Sequence, residues 1–238
     1  MIIETKELDI VAIIPARGGS KRLPRKNVLP LAGKPLIQWT LEAAKQSGVV
    51  DLIAVTSDDD EILEVAGKNN GVKLINRPAQ LATDTATSVD AVLHALGVLE
   101  EDGYNAKRVL LLQPTSPLRR AEDIRLAVKR MDDTGAASVI SVCELEHSPL
   151  WANTLPEDGR MDGFLPDNTE GKRSQDFPIF FRINGAIYLF RRYEWAVKKS
   201  FFIEPCFSLV MRKKESIDID DEFDFFVAES LSKMSNNQ

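Results

Sequence analysis

Short apolar runs alternate with amphipathic stretches along most of this chain. Residues 10–14 (IVAII) are continuously apolar, the pattern of a strand buried on both faces. Residues 36–46 place Leu36, Ile37, Thr40, Leu41 and Ala44 at helical spacing and run into Gly48, a natural C-terminal stop. The same reading predicts strands at 52–55 (LIAV), 72–75 (VKLI), 109–112 (VLLL) and 138–142 (SVISV). Helices are predicted over 59–69, 86–100 and 121–132, the second with Val89, Val92, Leu93, Leu96 and Leu99 on one face. Further on come AIYLF (186–190), a helical stretch at 192–199, SLVM (208–211) and a last helix from about 221. Strands alternating with helices in this way predict an α/β fold built on a doubly wound, mostly parallel sheet.

The alternation fails between 145 and 182. Pro149, Pro156, Pro166 and Pro178 fall there, with scattered aromatics at Trp151, Phe164, Phe177, Phe180 and Phe181. A loop that long inside a compact domain has a job or forms a small subdomain, and the aromatics point to packing, including packing on a second copy. The expected organisation is one α/β domain from 1–144 and 183–238, with 145–182 as an insertion suited to packing on a second copy.

Composition narrows the function classes. The 238 residues carry 30 Lys plus Arg against 36 Asp plus Glu, a net charge of −6. That balance argues against a nucleic-acid binder, which needs surplus cations to displace counterions from phosphates. No apolar run reaches the roughly 18 residues of a spanning helix, so no membrane partner is expected. The start (MIIETKELD) lacks a signal-peptide pattern, and two cysteines make no disulfide framework, so a cytoplasmic setting is expected.

The charge is unevenly spread. Between Asp9 and Glu42 there is no acid, while Arg17, Lys21, Arg22, Arg25, Lys26 and Lys34 all lie there. Within it, PARGGSKRLPRKN (15–27) directly follows the first predicted strand, the rim on which doubly wound sheets bind ligands. Gly18 and Gly19 allow close backbone approach and turn N–H groups toward an anion, Arg17 can fork onto phosphate oxygens, and Lys21 and Lys26 act as point charges. The spacing fits neither GxGxxG nor a P-loop, and a basic surface loop would have the same composition. The second candidate is SIDIDDEFD (216–224). In an extended segment Asp218 and Asp220 share one face while Ile217 and Ile219 pack inward, and two adjacent carboxylates suit Mg²⁺. An Asp capping the last helix explains the same acids, and on the residue pattern alone that is the simpler account. Asp58-Asp59-Asp60 reads as helix capping. LLLQPTSPLR (110–119) sets Gln113, Thr115, Ser116 and Arg119 at a strand end. His94, His147 and the cysteines show no catalytic spacing, and no GxSxG elbow is present.

Taken together, IIPARGGSKRLPRKN, RPAQLATDTATS (77–88), LLQPTSPLR, FRINGAIY (181–188), FFIEP (201–205) and SIDIDDEFD resemble the CMP-N-acylneuraminate synthetases nearly end to end. The resemblance implies a Rossmann-like nucleotidyltransferase fold that joins CTP to a nine-carbon 2-keto sugar acid, N-acetylneuraminate first, with Mg²⁺, releasing pyrophosphate. It implies that Ala16, Arg17, Gly18, Gly19, Ser20, Lys26 and Asn27 hold the nucleotide, with Arg77, Ala86 and Ser88 at the base. Gln113, Arg173, Asn184 and Tyr188 would meet the sugar, with Arg182 as a further contact. The insertion 145–182 would serve dimerisation and sugar binding beside a nucleotide-binding catalytic domain, and Phe201 and Phe202 would reach into the partner's site in a homodimer. By the same resemblance Asp218 and Asp220 are the metal acids, which reverses the capping preference, and Arg17, Lys26 and Asp220 are the catalytic set. Arg22 departs from a Gly common in relatives, leaving legionaminate, pseudaminate and Kdo-type acids open as substrates. A metal-dependent glycosyltransferase or a silent nucleotide-binding protein would share the loop and the acid pair.

Overall fold

A computed structural model of the chain describes residues 5–235 apart from Asn168 and Glu170. Residues 1–4 of the amino-terminal stretch, and those two residues of the predicted insertion, lie outside the described residues. The elements run β1 (Lys6–Pro15), a small hairpin β2 (Pro30–Leu31) and β3 (Lys34–Pro35), α1 (Leu36–Ser47), β4 (Leu52–Ser57), α2 (Asp60–Gly67) and β5 (Val72–Asn76). They continue with α3 (Ser88–Glu101), β6 (Tyr104–Leu111), α4 (Ala121–Thr134), β7 (Ser138–Glu144), β8 (Phe181–Arg191), α5 (Arg192–Lys198), β9 (Cys206–Val210) and α6 (Glu222–Ser235).

The seven-stranded sheet has the order β5-β4-β1-β6-β8-β7-β9. It is parallel except at β8, which runs antiparallel to β6 and β7. In β1, Ile10, Ala12 and Ile14 face a cluster that includes Ile37, Leu41 and Ile124 from α1 and α4. Val11 and Ile13 face the opposite cluster, with Val92, Leu96 and Trp195 from α3 and α5. This period-two division of an all-apolar run gives the three-layer sandwich its two cores. β1 is also where the strand order reverses, since β4 and β5 lie on one side of it and β6 on the other. The carboxyl ends of β1 and β6 therefore open the crevice that such sheets use for ligands.

Two differences from the sequence reading have local causes. The hairpin β2–β3 was not expected, because two-residue strands leave no periodicity to read. β8 begins at Phe181, inside the expected insertion, because its partner β7 extends to Glu144 and pairs with Phe181. Among the described residues, 145–180 holds only two 3₁₀ turns, Pro149–Trp151 and Ser174–Asp176. No helix among the described residues is long and apolar enough to cross a membrane.

Asp59 begins α2 as expected, accepting from the Ile62 N–H at 3.1 Å. It also takes both guanidinium arms of Arg25, at 2.7 and 3.0 Å. Arg25 holds a left-handed backbone, φ 57°, and this bidentate pair, with Glu61 alongside, fixes the turn that sends Lys26 inward. The hydrogen bonds from Arg25 hold the Asp59 carboxyl below its ordinary range. A lowered folded-state value means the stabilisation is complete above the unfolded value of about 4 and is lost as pH falls through the folded one. Asp59→Ala is expected to cost about 1 kcal/mol at pH 7, the typical loss for an N-cap. In urea unfolding the difference from wild type should shrink toward pH 3.

Candidate active site

The cleft at the ends of β1 and β6 has a volume of about 320 Å³. One wall is the loop after β1 with Pro15, Arg17, Lys26 and Asn27; another is Arg77 and residues 81–88, leading into α3. Gln113, Pro114 and Thr115 follow β6, and Asp218 and Asp220 close the far side.

The loop after β1 is held from several directions. Ala16 is buried and its N–H donates to the Thr56 carbonyl at 3.0 Å, so the chain leaves the sheet in register with β4. The Gly18 N–H donates to Asp58 Oδ1 at 3.1 Å. That carboxylate therefore takes the donor expected to face an anion. A Cβ on Gly18 would lie 2.5 Å from Asp59 Oδ2 and 2.8 Å from Asp59 Cβ, so the glycine permits the close approach of loop and α2. Gly18→Ala is expected to displace the loop and weaken CTP binding about tenfold, measured by calorimetry, because small misplacements of binding groups are costly. Gly19 is exposed and Ser20 half-buried, and neither lines the cleft. Asn27 is buried, donates to the Arg17 carbonyl at 2.9 Å, and keeps Oδ1 without a partner.

The cations of this acid-free loop meet acids from distant segments. Arg17 and Lys21 both reach Asp84, at 3.1 and 2.7 Å. These contacts, the Lys21 hydrogen bond first, hold the Asp84 carboxyl below its ordinary range. Lys26 Nζ donates to the Ile219 carbonyl at 2.7 Å and lies 3.5 Å from Asp220 Oδ1. Arg22 NH2 lies 3.0 Å from Asp220 Oδ2. Arg77 is buried, with Nε and NH2 free of hydrogen bonds, and burial lowers its pKa while Asp58 at 3.5 Å opposes the shift.

The acid segment has the expected alternation. Ile219 packs with Leu23, Leu31, Leu36 and Ala228, while Asp218 and Asp220 line the cleft. Capping of α6 falls to Asp221, whose Oδ1 accepts from the N–H groups of Phe223 and Asp224 at 3.0 and 3.1 Å. Asp218 Oδ1 is buried without a partner. Burial raises the Asp218 carboxyl above its ordinary range; Asp220 adds to this, and Thr115, Lys26 and Arg182 oppose it. Among the described residues no group of three or more His, Cys, Asp or Glu forms a metal cluster. A cation here would have two protein carboxylates and would complete its shell from water and phosphate, the usual habit of Mg²⁺.

The structure thus brings Arg17, Lys26, Asn27, Arg77, Ala86, Ser88, Gln113, Asp218 and Asp220 to one cleft. Tyr188 stands close enough to Asp218 for burial and that charge together to raise its phenol. Other residues from the sequence reading lie elsewhere. Asn184 is buried, with Nδ2 donating to Ser216 Oγ at 2.9 Å and Oδ1 accepting from Ser141 Oγ at 2.6 Å. Its side chain knits β8 to β7 rather than presenting a free amide. Arg173 pairs with Asp176 on an exposed turn, away from the cleft. The Phe201 ring sits 5.2 Å from Tyr188 and 5.5 Å from Phe190, between centroids, so it packs in its own core; Phe202 is the exposed one of the pair.

Asp58, Asp84 and Gly185 were missed. A Cβ on Gly185, where φ is +74°, would lie 2.6 Å from Gln113 Oε1 and 3.4 Å from Asp218 Oδ2, so its absence lets β8 back the cleft floor. Arg119 is fully buried, donating to the Ala186 carbonyl at 2.7 Å and to Thr40 Oγ1 at 2.7 Å. Burial pulls its pKa down to about 9, and it anchors the Gln113 loop to β8 and α1.

Comparisons with known proteins show what the chain is similar to. A family model described as Cytidylyltransferase covers residues 11–197. The chain is 37% identical over 233 residues to a CMP-N,N'-diacetyllegionaminic acid synthase of Legionella pneumophila, spanning 95% of this chain and 97% of that one. It is 35% identical over 216 residues to an N-acylneuraminate cytidylyltransferase of Streptococcus agalactiae, spanning 90% of this chain but only 51% of the relative's length. A pseudaminic acid cytidylyltransferase of Campylobacter jejuni is 32% identical over 228 residues, 95% of this chain and 97% of that one. Among solved structures, a CMP:2-keto-3-deoxy-manno-octonic acid synthetase complexed with CTP shares the fold, with a TM-score of 0.66 and 19% identity. That likeness covers 97% of this chain and 100% of the other.

Proposed function

Because the chain belongs to the cytidylyltransferase family, we propose that it joins CTP to a nine-carbon 2-keto sugar acid, N-acetylneuraminate first, giving the CMP-sugar and pyrophosphate. The observation that carries this is one cleft facing Arg17, Lys26 and Arg77 toward the paired carboxylates of Asp218 and Asp220. A di-N-acetylated legionaminic acid is the second reading, favoured by a relative that matches over nearly its whole length.

In the proposed reaction the anomeric hydroxyl of the sugar attacks the α-phosphorus of CTP. A new P–O bond forms, the α-phosphorus bond to the bridging β-phosphate oxygen breaks, the hydroxyl proton passes to solvent, and pyrophosphate departs. Such transfers depend mainly on positioning and charge neutralisation. Arg17 and Lys26 offset charge on the phosphates, Lys26 held in aim by the Ile219 carbonyl. Arg77, with Nε unpartnered and NH2 facing only Asp58 at 3.5 Å, is set to donate to the nucleotide beside residues 86–88. Asp218 and Asp220 would hold Mg²⁺, which fits the partnerless buried oxygen of Asp218; when bound, the ion supplies Lewis-acid neutralisation of phosphate charge. Gln113 lines the cleft and Tyr188 stands near Asp218; we assign the space beside Gln113 to the sugar acid, with Arg182, also near Asp218, as the cation for its carboxylate.

A homodimer belongs to the same reading. Ile183 and Val210 flank Val142 in register on one sheet face and are 45% and 59% exposed. Such an apolar strip at a sheet end suits a second copy. A cytoplasmic setting is consistent with two cysteines that form no disulfide.

The test is pyrophosphate release from CTP with N-acetylneuraminate, a di-N-acetyllegionaminate, pseudaminate and Kdo in parallel. Release with a nine-carbon acid supports the reading. Release with Kdo alone moves the substrate to eight carbons. CTP binding without release across the panel overturns the enzymatic reading, and a glycosyltransferase would consume a CMP-sugar instead.

A further inference from the structure

Asp220 carries a single carboxylate between two cations of one loop, and those cations are held very differently. Lys26 is 13% exposed and fixed by a hydrogen bond to the Ile219 carbonyl at 2.7 Å. Arg22 is 66% exposed, and its ion pair with Asp220 Oδ2 at 3.0 Å is its one polar contact among the described residues. Asp220 itself is 48% exposed on the side chain, so water and ions reach the pair. An exposed ion pair of this kind is weak and breakable. Arg22 lies in the same loop as Arg17 and Lys26, with a planar fork suited to phosphate oxygens.

We infer that Arg22 is a counter-ion switch that couples the nucleotide to the cation at this site. In the free protein its guanidinium covers Asp220 Oδ2 and competes with a divalent ion for that carboxylate. An arriving triphosphate draws Arg22 away, which uncovers Asp220 while Arg22 adds to the phosphate contacts. Linkage makes the coupling reciprocal: a cation on Asp220 releases Arg22 to the phosphates and tightens the nucleotide. Arg22 thus acts on the cation through Asp220 and on the nucleotide directly, and the inference rests on the metal reading of Asp220 proposed above.

The coupling predicts opposite signs for two bindings. In Arg22→Gln, Mn²⁺ should bind the nucleotide-free protein about two- to fivefold more tightly, the range set by an exposed pair, measured by electron paramagnetic resonance. Metal-free CTP, titrated calorimetrically in chelator, should bind about threefold more weakly. Arg22→Lys should move both values back toward wild type. Raising salt to about 0.5 M should shrink the Mn²⁺ difference, because screening already weakens the pair in wild type. A merely structural residue would weaken both bindings. Mn²⁺ affinity unchanged or weakened in Arg22→Gln, with Asp220→Asn losing Mn²⁺, overturns the switch alone. Wild-type Mn²⁺ affinity in Asp220→Asn overturns the metal reading and the switch with it.

Discussion

Lys26→Ala is expected to lower kcat/KM for CTP by about a hundredfold or more with the fold intact, a loss of about 3 kcal/mol in transition-state stabilisation. The size follows from where the ammonium sits. Lys26 is the least exposed cation of the loop, and the Ile219 carbonyl aims it across the cleft toward Asp220. Arg17 is 41% exposed and held by Asp84, so water screens its charge more strongly and Arg17→Ala should cost less. Much of the Lys26 loss should appear in kcat, since charge on the phosphates grows as pyrophosphate leaves. Lys26→Met separates the lost charge from the lost packing, because it keeps most of the stem. Equal losses in the two variants would assign the effect to charge. Near-wild-type turnover in Lys26→Met would remove Lys26 from the proposed chemistry.

Asp220→Asn is expected to reduce turnover by a similar factor, about a hundredfold, and to shift the Mg²⁺ dependence to higher concentrations. The substitution is nearly isosteric, and the backbone at this position is fixed independently. The Asp220 N–H donates to Asp224 Oδ2 at 2.9 Å, and Asp221 does the capping of α6. Helix and loop should therefore survive, as an unchanged thermal midpoint would show. Asp221→Asn is the matched control: it alters the cap and should leave the metal dependence alone. Were Asp220→Asn to retain normal turnover and Mg²⁺ response, the acid pair would have no part in holding the ion.

Much of the scaffold could be read in advance because it is written in local periodicity. IVAII, LIAV and SVISV are all strands of the sheet, and each sits where its apolar run placed it. The phosphate-type loop was legible too, since glycines, cations and a preceding strand fall within a dozen or so residues. The partners of those cations were not. Asp59, Asp84 and Asp220 come from three separate segments, and only the fold brings them to the one loop. The same limit applies to Asn184 and Phe201. Both lie in motif-like strings, yet one is bonded to Ser141 and Ser216 and the other stacks with Tyr188 and Phe190. Whether a polar or aromatic residue faces a cleft or a core depends on neighbours that the linear spacing does not name. The acid-free stretch gains its meaning in the same way, as a loop whose charges are balanced from across the fold.

The most direct measurement of the central claim is product identity. Purified protein, CTP, Mg²⁺ and N-acetylneuraminate are incubated together, and nucleotide-sugar and pyrophosphate are quantified by mass spectrometry and a coupled assay. The proposed chemistry predicts CMP-sugar and pyrophosphate in a one-to-one ratio, with formation of both slowed about a hundredfold in Lys26→Ala. CTP consumed without a CMP-sugar, or no pyrophosphate from any nine-carbon acid of the panel, would contradict it.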